Sequence, residues 1–336
     1  MSALRIDLPW IGPFKKGPYA RSERPLDEVW NWVSRFGATS WLQKNTSGSV
    51  PWEEWGPYAV ARLRQAVEFR AAARQGSILT RPLPLYYALL NLLRGFYALK
   101  NDAKPKAGHG LRFEGINEPD IFQTAAEITD GTFTNYLAVL SAPNQRGTLI
   151  TLHDAFSRII ETADYYVTTP LGQAEVFAVQ IEAYRSGKLL LNFNGPGPEA
   201  DFRTSWQQWF PKLKDCCSLE PTGRILLVDS IKVDASTYEA VCDFCHQHLE
   251  VNLKSYEDPT WFAIRHSRPE LDLPRPAFYY IAAFILSSVV RYEPELLVDV
   301  SNPDSEQGWL IARFLDAAER YFPQLLLHWW FGPIFF

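Results

Sequence analysis

Residues 83–100 read LPLYYALLNLLRGFYALK, and this stretch decides the fold. It is apolar around nearly the whole circumference of a helix, which is typical of a helix buried on most sides. Residues 274–297, PRPAFYYIAAFILSSVVRYEPELL, repeat the scheme of a proline start, a Tyr-Tyr pair and a long apolar run. Because each apolar surface needs a partner, helices over 83–99 and 276–292 are predicted to pack together in one bundle.

The middle third of the chain has the alternation and β-branched content of strands. Residues 175–194, EVFAVQIEAYRSGKLLLNFN, predict a β-hairpin, and FTNYLAVL (133–140) and RILLVDSIKV (224–233) predict further strands. Helices are predicted around these strands, at 26–37, 56–76, 153–166, 202–213, 236–250 and 305–322.

These patterns together predict an α+β protein that is mostly α. Its N- and C-terminal helices would form a helical bundle, with a small antiparallel sheet inserted in the middle. The chain would divide into a helical part (1–130), a strand-containing part (131–235) and a C-terminal helical part (236–336) that packs on the first. One continuous domain is the alternative, because no Gly/Ser linker separates the parts.

Composition narrows the classes of function. Of 336 residues, 47% are hydrophobic, so a sizeable core forms, and the net charge of −5 argues against a protein that binds nucleic acid over its whole surface. We see no signal peptide, and no apolar run reaches the roughly 18–20 residues that span a bilayer. We therefore expect a cytoplasmic protein without a membrane partner, whose four cysteines are reduced.

Three segments carry a resemblance to a known family. PLYYALLNLLRGFYALKNDAKPKAGHGLRF (84–113), YYIAAFILSSVVRYEPELL (279–297) and WLIARFLDAAERYFPQLLLHW (309–329) occur in that order. They resemble the YaaC-like family of bacterial proteins over roughly 50–115 and 270–330. No activity of that family is established, so the resemblance implies a protein that acts through protein contacts, in bacterial stress or phage defence.

A wider resemblance concerns the first of these segments. Its tyrosine- and leucine-rich helix, followed by a loop with histidine, is similar to the opening of HEPN helical bundles. Many of those are metal-independent ribonucleases whose motif is an arginine and a later histidine with four to six residues between them. Only Arg146 and His153 have that spacing here, and they span a turn and the start of a strand rather than one helix. RNA cleavage or RNA binding is therefore the alternative function.

His109 is the first candidate site residue, because it lies between Gly108 and Gly110 after a lysine-rich turn. The glycines permit either a tight turn that the imidazole stabilises or the presentation of the imidazole to a ligand. Arg291 either caps its helix or reaches a pocket shared with His109. In the second case an arginine, a histidine and tyrosines would bind a phosphate group or stabilise it during transfer.

The candidate ligand-binding tyrosines of that pocket are Tyr86, Tyr87 and Tyr292. If the protein is a nuclease, its catalytic residues would be His109 or His153 together with Arg146 or Arg291, with the histidine as acid or base.

The motif CDFCHQH (242–248) has the residue types that zinc prefers. Cys242, Cys245 and His246 share one helical face, but three ligands on one face do not close a tetrahedron. A structural helix is the favoured interpretation, so no metal and no cofactor are predicted, and a zinc-containing structural protein is a third hypothesis.

Two surfaces suggest partners. Four arginines on the helix over 56–76, with lysines at 100, 104 and 106, form either a solvated surface or a local patch for a phosphate backbone. The aromatic end HWWFGPIFF (328–336) either packs back into the fold or docks a partner. A protein partner or self-association is therefore predicted.

Overall fold

The structure is a computed structural model. It describes residues 24–45, 50–115, 120–166, 169, 171–184, 188–229, 238–251 and 261–331. Its helices, in chain order, are α1 (Pro25–Phe36), α2 (Thr39–Asn45), α3 (Trp52–Ala73), α4 (Pro82–Asn101), α5 (Thr132–Val139), α6 (Leu152–Phe156), α7 (Ile160–Tyr166), α8 (Glu199–Trp209), α9 (Tyr238–His248), α10 (Arg275–Tyr292), α11 (Pro294–Val300) and α12 (Glu306–Phe331). Its strands are β1 (His109–Glu114), β2 (Ala125–Gly131), β3 (Leu149–Thr151), β4 (Val176–Ala183), β5 (Leu189–Asn194), β6 (Cys217–Leu219), β7 (Ile225–Val228), β8 (Glu250–Val251) and β9 (Trp261–Ile264).

Contacts divide the described residues into two compact units. Residues 172–271 form the sheet unit, and the described residues of 24–171 and 272–331 form the helical unit. The fold class is confirmed: the chain is mostly helical, the N- and C-terminal helices share one unit, and antiparallel sheets lie in the middle of the chain. That residues 1–130, 131–235 and 236–336 are separate parts stays a prediction.

The predicted pairing of the two apolar stretches is confirmed, because α4 packs against α10. The ring of Tyr86 lies 5.5 Å from the ring of Tyr280 and 5.5 Å from the ring of Phe284. All three side chains are buried. The aromatic residues that the two sequences share thus meet at the centre of the helical unit. Within the described part of the chain, no helix has the length and apolar character that crossing a membrane requires.

One of the four arginines on the second predicted helix, Arg70, joins an ion cluster inside the bundle. Arg70 of α3 donates to the Glu319 carboxylate of α12 at 2.8 Å, and Arg81, just before α4, donates to the other oxygen at 2.9 Å. The Glu319 side chain is only 3% exposed, so the pair is well shielded from solvent. The indole of Trp30 in α1 donates to the Glu319 carbonyl oxygen at 2.9 Å. This ion cluster ties four helices together.

A three-stranded antiparallel sheet, in the order β1-β2-β3, also belongs to the helical unit. The prediction of a strand at 133–140 is wrong, because these residues lie mostly in α5. Phe133, Tyr136 and Leu137 recur at helical spacing and are buried, and the Thr134 hydroxyl accepts from the amide of Gly131 at the helix start. The local alternation of FTNYLAVL was therefore misleading.

The sheet unit contains the predicted hairpin. β4 and β5 pair antiparallel within a six-stranded sheet of order β6-β7-β5-β4-β9-β8, and the turn residues 185–187 lie outside the described part. β7 confirms the first half of the strand predicted at 224–233, whose residues 230–233 are also outside the described part. Phe193 of β5, Phe202 of α8 and Phe210 pack with ring centroids 5.0–6.1 Å apart, so α8 covers one face of this sheet.

Candidate functional site

His109 begins β1 at a point where the backbone needs two glycines. Gly110 has a φ of +79°, and a Cβ atom there would lie 2.6 Å from the amide nitrogen of Phe133. A Cβ atom on Gly131, which pairs with His109 across the sheet, would lie 2.6 Å from the amide nitrogen of Gly110. β1, β2 and the start of α5 therefore approach more closely than side chains would allow, and this fixes the backbone of His109.

Two buried tyrosines, one from each apolar helix, hold the imidazole in place. The hydroxyl of Tyr86 lies 2.7 Å from Nδ1 of His109 and 3.1 Å from the hydroxyl of Tyr280. The Tyr280 hydroxyl also donates to the carbonyl oxygen of His109 at 3.3 Å. The α4–α10 pair thus forms the floor under His109 and positions both its ring and its backbone.

The other ring nitrogen of His109 stays available. His109 is half-buried, and Nε2 makes no hydrogen bond to any described residue. Burial lowers the pKa of His109, and the nearby charges of Arg94 and Arg291 lower it further. The imidazole is therefore neutral at neutral pH, because its ordinary pKa is already about 6.5. Whether Nε2 carries the proton depends on which way the Tyr86 hydroxyl donates.

Arg94 of α4 approaches the same histidine from the β1 side. Its Nε donates to the hydroxyl of Thr132 at 3.1 Å, and one terminal nitrogen donates to the carbonyl oxygen of Gly108 at 2.9 Å. Both partners are neutral, and within the described residues no carboxylate lies within ion-pair distance of Arg94. Its second terminal nitrogen remains available to a ligand.

Arg291 of α10 reaches back along its own helix toward His109. Its Nε donates to the carbonyl oxygen of Ser287 at 3.1 Å, and a terminal nitrogen donates to the hydroxyl of Ser288 at 3.0 Å. That level of α10 is one turn beyond Phe284, whose ring lies 5.9 Å from the ring of His109. Among the described residues, Arg291 also has no carboxylate partner. His109, Tyr86, Tyr280, Arg94 and Arg291 are called the His109 site below.

Comparison with known proteins places these residues in a protein family. A family model described as YaaC-like Protein matches residues 31–330. The chain belongs to the YaaC-like family. The match spans both units, and it includes every residue of the His109 site. No curated protein and no solved structure matches the chain.

The remaining predicted tyrosines occupy different positions in this YaaC-like protein. The ring of Tyr87 stacks on Phe69 of α3 at 5.3 Å. Its contact with the site is the ring of Tyr86, whose centre lies 5.7 Å from that of Tyr87. Tyr292, at the end of α10, is 62% exposed and stacks on Phe113 of β1 at 6.0 Å. The geometry therefore places Tyr292 beside the His109 site, and Tyr87 in the α3–α4 interface.

Arg146 and His153 are not brought together by any described interaction. Arg146 is exposed in the turn before β3. The pKa of Asp130 is lowered mainly by Lys106, and the charge of Arg146 lowers it further. Nε2 of His153 lies 3.1 Å from the carbonyl oxygen of Leu171. The spacing that resembles a HEPN motif thus has no counterpart in the hydrogen bonds of these two residues, and their catalytic roles stay predictions.

The cysteine-histidine motif lies in α9, as predicted. Cys245 is buried, while the side chains of Cys242 and His246 lie outside the described part of the structure. Among the side chains that are described, no three His, Cys, Asp or Glu residues are arranged to hold a metal ion. The zinc hypothesis therefore stays a prediction, because the side chains of Cys242 and His246 are outside the described part.

Arg94 and Tyr280 are the site residues that the sequence patterns did not single out. A usable signal existed for Arg94, since it is the one charged residue between positions 82 and 99 of an otherwise apolar helix. A charge in such a helix must reach solvent, a polar partner or a ligand. Tyr280 is harder to detect, because an aromatic residue in a buried helix is ordinarily a core residue.

Proposed function

We propose that this YaaC-like protein binds a ligand through a phosphate group at the His109 site. The observation that supports the proposal is a pair of guanidinium groups without a carboxylate partner among the described residues. Both lie close enough to the same imidazole to lower its pKa. Two like charges around one half-buried group repel each other, and an oxyanion between them would offset that repulsion.

The available donors suit a phosphate. Arg94 and Arg291 each bind neutral oxygens with part of the guanidinium and leave terminal N–H groups available. Such groups form charge-assisted hydrogen bonds to phosphate oxygens, often in pairs. Because the Tyr280 hydroxyl donates to the carbonyl oxygen of His109, Tyr86 donates to Tyr280 and accepts from Nδ1. Nε2 of His109 would then accept a hydrogen bond from a protonated phosphate oxygen. The three groups come from α4, α10 and β1, so the packing of the helical unit sets their spacing.

The test is the binding of inorganic phosphate to the purified full-length chain, measured by isothermal titration calorimetry at low ionic strength. Replacing Arg94→Gln or Arg291→Gln should weaken binding roughly 10- to 150-fold each, because a hydrogen bond to a charged group contributes about 1.5–3 kcal/mol. His109→Gln should weaken it less, since the imidazole is neutral at neutral pH.

Arg146→Gln is the matched control. It removes the same charge from an exposed position of the same unit, outside the hydrogen bonds of the site. Its effect should be limited to long-range electrostatics, which salt screens. The proposal is refuted if phosphate does not bind, or if the Arg94 and Arg291 variants bind phosphate as tightly as the Arg146 variant does.

Two broader hypotheses stay predictions. A metal-independent ribonuclease would use the same groups, with Nε2 of His109 as acid or base and an arginine opposite the phosphate charge. Phosphate binding is a step that such an enzyme requires, so a negative titration would remove the nuclease hypothesis at this site as well. Action through protein contacts, in stress or phage defence, concerns surfaces other than this site and is independent of that result.

A further inference from the structure

An aromatic pair continues the His109 site along the contact between α10 and β1. Phe284 of α10 contacts His109 at the start of β1, and Tyr292, two turns later, stacks on Phe113 near the end of β1. α10 and β1 therefore run side by side in the same direction. Phe113 lies four residue steps along the strand from His109, which is about 13 Å. Arg291 lies between these two contacts.

Tyr292 is presented to solvent yet held in a defined orientation. Tyr292 is 62% exposed, although its ring stacks on Phe113 with an interplanar angle of 26°. The guanidinium carbon of Arg291 lies 5.0 Å from the centre of the same ring. An anion bound by Arg291 would consequently lie next to an exposed aromatic surface.

We propose that the ligand of the His109 site is a nucleotide, whose phosphate lies at Arg94 and Arg291 and whose base stacks on Tyr292. The inference rests on the phosphate site proposed above and adds the class of molecule that carries the phosphate. Bases stack on exposed aromatic side chains because every base has a π face, and the contact adds affinity without requiring a particular base. A phosphate and a planar ring that are linked by a sugar match the order in which the protein presents arginines and then Tyr292.

The experiment compares four probes on the full-length chain by calorimetry: inorganic phosphate, ribose 5-phosphate, AMP and adenosine. AMP should bind more tightly than ribose 5-phosphate, and Tyr292→Ala should reduce the affinity for AMP about 5- to 150-fold, the range that stacking on an aromatic side chain provides. The same variant should leave ribose 5-phosphate binding unchanged. Tyr292→Phe, which keeps the ring, should retain tight AMP binding.

Each failure has its own signature. If AMP and ribose 5-phosphate bind equally well to the unmodified chain, and both depend on Arg94 and Arg291, the phosphate site stands and the nucleotide inference is overturned. If Tyr292→Ala weakens both ligands equally, the ring acts only by holding Arg291, and the inference is also overturned. If none of the phosphate-bearing probes binds, the phosphate site itself fails. Adenosine should bind weakly, because it lacks the group that the arginines hold.

Discussion

The ion pair between Glu161 of α7 and Arg275 of α10 offers the sharpest test of what holds the helical unit together. The two side chains are 0% and 1% exposed, and the Tyr279 hydroxyl also donates to the Glu161 carboxylate. Burial lowers the pKa of Arg275, which shows how strongly this environment opposes an uncompensated charge. α10 also carries Tyr280 and Arg291 of the His109 site, so this pair fixes the helix that forms the floor of that site.

Replacing Glu161→Gln keeps the size of the side chain but removes its charge, so the buried guanidinium of Arg275 loses the carboxylate with which it pairs. Breaking a buried pair in this way costs about 3–5 kcal/mol. The free energy of unfolding of an ordinary domain is about 5–15 kcal/mol, so the loss should be a large fraction of it. The matched control is Glu114→Gln, since Glu114 pairs with Arg112 at 2.8 Å and both side chains are exposed. That change should cost less than about 1 kcal/mol.

Urea denaturation followed by tryptophan fluorescence measures both variants, and the chain contains twelve tryptophans. Because the chain forms two units, the comparison uses the transition that Glu161→Gln displaces. The double variant Glu161→Leu with Arg275→Met should recover much of the lost stability, because apolar residues replace both charges. Equal costs for Glu161→Gln and Glu114→Gln would refute the reasoning, because the buried pair would then contribute no more than an exposed one.

Two further predictions concern His109 and its backbone. The pKa of His109 is lowered in the folded protein, so between that value and the ordinary 6.5 the unfolded chain binds more protons. The neutral His109 therefore contributes fully to stability above pH 6.5, and this contribution decreases as the pH falls below 6.5. Between about pH 5 and 7, the free energy of unfolding measured in urea should depend more steeply on pH for the unmodified chain than for His109→Gln. Gly110→Ala should cost about 1–3 kcal/mol more than Gly147→Ala in the same assay, because both glycines have positive φ but only Gly110 would bring its new Cβ against Phe133, and equal losses would contradict the close approach.

The fold could be predicted where one sequence pattern dominated all others. α4 and α10 are apolar on nearly every side, so their burial and mutual packing followed from hydrophobicity alone. The hairpin of β4 and β5 was predictable for a similar reason, because two alternating runs flank a short polar turn. β1 was not predicted, because HGLRFE is short and flanked by glycines. Its strand geometry depends on pairing with β2, more than ten residues away, and not on its own residues.

Only part of the candidate site could be predicted from the sequence. His109, Tyr86 and Arg291 were selected from the sequence, and the structure brings their side chains into one neighbourhood. Arg146 and His153 were selected by spacing alone. On one helix, seven positions would put two side chains on the same face, but here a turn and a strand intervene.

The apolar stretches of α4 and α10 have a common feature, because each contains a single arginine and both arginines lie near His109. Arg94 is the one charged residue from 82 to 99, and Arg291 is the one charged residue from 276 to 292. A charge on a buried helix is costly unless it reaches polar partners. Arg94 reaches oxygens of Gly108 and Thr132, and Arg291 reaches those of Ser287 and Ser288. The two helices pack against each other through Tyr86 and Tyr280, and α10 also contacts β1. The neutral oxygens that the two arginines bind do not cancel either charge. An anion bound between them would do so, which is the physical basis for proposing a phosphate ligand.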